Sequence, residues 1–195
     1  MFTESSFRKF FNFYNLFAAE ILLNQNYRFN NKLSVGHRIS FSPTFNSVGY
    51  ATTSNSQIIF GRRKINTVEN VLNIKYIFTN KMGLTFRARH YVSSVENKEF
   101  FILQASGKLD PNSSFNGNAD QNANYFNIDM VYTWQFAPGS FLNIVWKNSV
   151  YDYKDIAERS YFKNLSNTID ADQNNNFSIK VIYFLDALQL KKKKR

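Results

Sequence analysis

The chain has 195 residues, 17% of them aromatic, no cysteine, and a formal net charge of +10, half of which lies in the terminal run Lys191 to Arg195. The lack of cysteine excludes disulfides, thiolate metal centres and cysteine nucleophiles, and no apolar run approaches the ~18 residues of a membrane-spanning helix. Phenylalanine outnumbers leucine and there are three prolines, a composition that favours strands over helices.

The first segment, residues 1 to 18, is poorly defined. Arg8 and Lys9 precede a run of Phe, Asn and Tyr with no small-residue cleavage site, which is not an export signal. The expectation is a natural start further upstream, with this chain as the end of a longer one. Strand character then becomes regular. Ile21, Leu23, Tyr27 and Phe29 alternate with Asn24, Asn26 and Arg28, and Asn30 and Asn31 turn the chain. Leu33, Val35, His37, Ile39 and Phe41 alternate with Ser34, Gly36, Arg38 and Ser40. A period of two means a ribbon with one apolar and one wet face.

Residues 43 to 64, rich in Ser, Thr and Asn, read as a long loop, with room for a short hairpin of its own. Val68, Leu72, Ile74, Tyr76 and Phe78 form the next strand, turned at Asn80 and Lys81 into Met82, Leu84, Phe86, Ala88 and His90. A second long connection covers 95 to 123. The clearest hairpin follows: Phe126 to Phe136 apolar at every second position, a turn at Ala137, Pro138 and Gly139, then Leu142, Ile144 and Trp146. A third long loop, 152 to 175, leads to Phe177, Ile179, Val181 and Tyr183, and residues 187 to 195 form a basic tail.

The predicted fold is therefore all-β. Seven long strands span residues 19 to 186, with an eighth if residues 7 to 17 form their own. Strands of about 9 to 11 residues suit a tilted bilayer crossing, and tight turns alternate with long connections. Tyr27, Phe29, Tyr76, Phe78, Trp134, Phe136 and Tyr183 gather at the tight-turn end, the place of the aromatic girdle of a transmembrane barrel. These features point to an antiparallel transmembrane β-barrel. A closed eight-stranded barrel and the C-terminal part of a larger one both fit. The alternative is a soluble β-sandwich binding module, whose apolar faces would form a core between sheets.

Ile59 to Arg63, Thr67 to Asn70, the strand pair around Phe78 to Leu84, Arg87 to Tyr91, the segment Trp134 to Trp146 and the ending Lys180 to Asp186 resemble the C-terminal barrel of a Gram-negative outer-membrane family. That family is a domain of unknown function which usually follows a carbohydrate-binding module similar to family nine. The resemblance covers about residues 55 to 190. It implies residence in the cell outer membrane, contact with outer-membrane lipid and the barrel-assembly machinery, and carbohydrate as a ligand. It supplies no catalytic residues.

In such a barrel the polar face lines the lumen. Arg38, Lys75, Arg87, Arg89, Lys147 and Lys180, joined by Arg28 and Lys32, outnumber the inward acids Glu69 and Asp129. Two readings are open: a cationic passage that favours anions, or a narrow lumen filled by pairs such as Arg87 or Arg89 with Asp129. Asp170, Asp172, Asn174 and Asn176 have the alternate spacing of a calcium loop, but Asn175 and Val181 stand where its glycine and closing glutamate belong. Asn116, Asn118 and Asp120 are a weaker cluster of the same kind. His37 and His90 fall on outward positions, better suited to packing than to metal. Asp152, Asp155 and Glu158 supply acids for glycoside hydrolysis without flanking aromatics, so a surface hydrolase ranks third. No catalytic, cofactor or metal site is assigned. The basic tail follows the last strand and suits anionic head groups rather than nucleic acid.

Overall fold

The computed structural model describes residues 15–185 and, as backbone, residues 2–9. Strands β1 (Phe2–Lys9), β2 (Phe17–Arg28), β3 (Leu33–Ser54), β4 (Gln57–Thr79), β5 (Met82–Leu103), β6 (Leu109–Pro111), β7 (Gln121–Ala137), β8 (Ser140–Lys154) and β9 (Gln173–Ile182) form one antiparallel sheet, with a helix, α1 (Tyr161–Asp170), before the last strand. The path β1-β2-β3-β4-β5-β7-β8-β9 contains eight strands, and β6 pairs back onto β5. Among the described residues β1 and β9 are each paired on one side, so the sheet is not closed into a barrel. An eighth strand is present as β1, which overlaps the expected 7–17 segment only at residues 7–9; residues 10–14 lie outside the described residues. So does the tail at 187–195.

Two of the predicted long loops are largely strand. Residues 43–64 are not a loop: β3 and β4 run through them and meet at Asn55 and Ser56, whose φ angles of 49° and 62° are those of a primed hairpin turn. The polar composition concealed this extension, as did register shifts between Thr44 and Ser47 and between Tyr50 and Thr52, where the two-residue period slips. Asn46 sits in the first shift at φ 57°, and Arg62 Nη1 donates to its Oδ1 at 3.0 Å. In the 95–123 segment β5 continues to Leu103 before the chain leaves the sheet. The 152–175 segment carries α1, capped by the Ser160 side chain, which accepts from Lys163 N.

The turns at the opposite end are local chemistry. Asn30 Oδ1 accepts from the backbone N–H of Lys32 and Leu33 at 2.8 and 2.9 Å. Thr79 Oγ1 accepts from Lys81 N. Pro138 and Gly139 fill a two-residue loop between Ala137 and Ser140, with Gly139 at φ 71°, where the proline pre-sets its own φ and glycine adopts the left-handed one.

Candidate functional site

Strand register sorts the side chains into two faces. On one, a row across the sheet reads Val35, Ile74, Phe86, Met130, Trp146 and Phe177, and the row nearer the turns contains Tyr76, Leu84, Tyr132, Ile144 and Ile179. The predicted aromatic belt borders this face: Tyr27 packs edge-on against Phe29 at 4.5 Å, Tyr76 against Phe78 at 4.8 Å, and Trp134 against Phe136 at 5.9 Å. Phe136 stacks on Tyr183 at 6.2 Å. Tyr132, read as part of the apolar face but not of the belt, lies edge-on against the belt's Phe78 at 6.2 Å.

The opposite face is polar and holds all six of the singled-out cations. From the turn end, successive rows contain Lys180 with Asn143; Arg28, Ser34, Lys75 and Thr85; Asn73, Arg87, Asp129 and Lys147; and Arg38, Arg89, Asn127, Ser149 and Asn174. A recess of about 560 Å³ lies between Arg28, Lys75, Arg87 and Asp129, and one of about 430 Å³ between Arg89, Lys147 and Asn176. The acids pair differently from expectation. Asp129 meets Lys147 at 3.9 Å and Glu69 meets Arg89 at 3.5 Å, not Arg87 or Arg89 with Asp129. Among the described residues Arg38, Lys75, Arg87 and Lys180 form no ion pair, so this face keeps a net positive field.

Toward the loop end the apolar face changes character, because α1 lies over it. His90 is 3% exposed. Its Nδ1 is 3.1 Å from Tyr161 Oη and its Nε2 is 3.4 Å from Thr168 Oγ1. Asn122 Nδ2 donates to Asn164 Oδ1. The outward position assigned to His90 is thus an anchor for the helix, while His37 hydrogen-bonds Asn70 at 3.3 Å. No three-residue cluster of metal-binding side chains occurs among the described residues. Asp170 ends α1 while Asn174 and Asn176 belong to β9, so the alternate oxygens do not share a loop. Asn118 and Asp120 are engaged with Asp155 O and Asn97 N. Asp152 pairs with Lys154, and Glu158 with Lys163.

A second tether for α1 is ionic. Lys98 and Arg159 donate to the Glu96 carboxylate at 2.5 and 2.6 Å and hold its pKa below the usual glutamate range. A lowered folded-state pKa contributes stability that is present above the unfolded value and lost as pH falls through the folded one. Acidification below the ordinary glutamate range should therefore lower the amide protection factors, measured relative to the intrinsic exchange rate at each pH, in residues 156–172, and Glu96→Gln should abolish that drop in protection.

An all-β, single-sheet protein with one apolar and one cationic face is the class these features define. A family model described as Domain of unknown function (DUF5916) matches residues 3–194, and the chain belongs to that family. No curated protein and no solved structure matches it.

Proposed function

We propose that this chain forms the wall of a transmembrane β-barrel in an outer membrane, with the apolar face toward lipid and the cationic face lining a passage or binding lumen for solutes. The observation that carries the reading is the exposure of the apolar face on interior strands beside its aromatic belt: Tyr76, Trp134 and Ile144 are 36%, 40% and 37% exposed, on a face that needs a hydrocarbon or protein cover. The helix supports it from a different direction. Its buried residues are Asn164 and Thr168, while Phe162 and Ile169 are exposed, the reverse of a helix on a water-soluble core. Closure of the wall needs partners for β1 and β9, since a lipid-embedded sheet tolerates no free edge.

The test is reconstitution. Detergent-refolded protein should show heat-modifiable gel mobility and, in planar bilayers, channels that favour anions over cations. Lys75→Glu with Arg87→Glu should reverse that preference. Recovery of the native chain as a compact monomer in detergent-free buffer would overturn the barrel in favour of a soluble sandwich module, and absence of channels would restrict the lumen to binding.

A further inference from the structure

Beyond the cationic rows, the polar face carries an aromatic feature of a different kind. Tyr91, Tyr125 and Tyr151 occupy one register row on three adjacent strands, β5, β7 and β8. Their ring centroids are 6.0 Å apart from Tyr91 to Tyr125 and 4.7 Å from Tyr125 to Tyr151. Tyr125 is 44% and Tyr151 54% exposed. Side-by-side exposed rings on the wet face of a sheet have no core to fill.

We propose that this tyrosine row is a binding platform for the ring faces of a neutral linear oligosaccharide. Tyrosine offers a large, rigid, amphipathic surface at low conformational cost, matching a pyranose, which has an apolar C–H face and a hydroxyl edge. Hydrogen-bonding groups for those hydroxyls flank the row: Asn127 and Ser149 on the turn side, Thr67 and Ser93 on the loop side. The local charge is balanced, because Arg89 is held by Glu69 at 3.5 Å. A phosphate or carboxylate would instead be drawn to the unpaired Lys75 and Arg87, rows away. Three rings set on strands about 4.8 Å apart span roughly two to three sugar units. The proposal rests on the polar face being open to solute, as the lumen reading has it, and not on the ion preference of that lumen.

The experiment is calorimetric titration of the detergent-refolded full chain with cellotetraose, laminaritetraose and maltotetraose, with tetragalacturonate as the acidic comparison. At least one neutral tetrasaccharide should bind saturably. The variant Tyr125→Ala with Tyr151→Ala should bind it at least about tenfold more weakly. Tyr125→Phe, which keeps the ring, should stay close to wild type, as should Tyr50→Ala, an exposed tyrosine outside the row. Heat-modifiable mobility checks that each variant is folded. Binding of tetragalacturonate alone, binding of no tetrasaccharide at millimolar concentration, or undiminished binding by the double variant would overturn the platform. A chain that dissolves without detergent and still binds a neutral glucan overturns the barrel and keeps the platform. One that inserts and conducts but binds none does the reverse.

Discussion

Ile179→Arg is expected to abolish stable insertion, whereas Ser178→Arg, one residue away on the other face, should be tolerated. Ile179 is 70% exposed, so in water its replacement by arginine would cost almost nothing. Against hydrocarbon the same change costs up to about 2–4 kcal/mol, less toward the interfaces, and the upper range shifts a marginal folding equilibrium by one to three powers of ten. Ser178 shares its row with Val145, Val131, Thr85 and Lys75, where a further cation meets solvent. Urea titration of both variants in lipid vesicles reads the difference directly, and equal stabilities would remove lipid from the account of this face.

The second large effect is expected at the helix. Asn164 is 1% exposed. It accepts from Asn122 Nδ2, and its own Nδ2 donates to the carbonyl oxygens of Glu158 and Ser160. Asn164→Leu keeps the branched outline but strands the fully buried Asn122 amide, whose Oδ1 already lacks a protein partner. A buried amide left unpaired costs about 1–3 kcal/mol, which should fall on the local equilibrium of α1 and not on the sheet. Limited proteolysis within 156–172 should accelerate while heat-modifiable mobility is retained. Loss of both together would mean that the helix is part of the cooperative core.

The two-faced character of the strands was legible because the period-two pattern of residues such as Phe126 to Phe136 is the pleat itself. The turns at Asn30 and at Pro138–Gly139 were legible because their residues dictate them. Three things were not. The outer half of the β3–β4 hairpin is built from Ser, Thr and Asn with bulges, so it lacks the apolar alternation by which strands are recognised. Helix α1 buries asparagine and threonine, so its sequence shows no stripe of core residues. The tyrosine row joins residues far apart in the chain, and strand register alone brings them together.

The length of that outer hairpin has a practical corollary. A bilayer crossing uses about 10 residues of a strand, and β3 has 22. At about 3.3 Å per residue, the remainder lifts the Asn55–Ser56 tip roughly 30 to 40 Å above the hydrocarbon core, well beyond the head groups. In the barrel reading, antibodies, phages and proteases approaching the cell would meet a stiff ribbon before any soft segment. An epitope tag would then be best accommodated at that tip, whereas insertion along either flank would break a ladder of backbone hydrogen bonds.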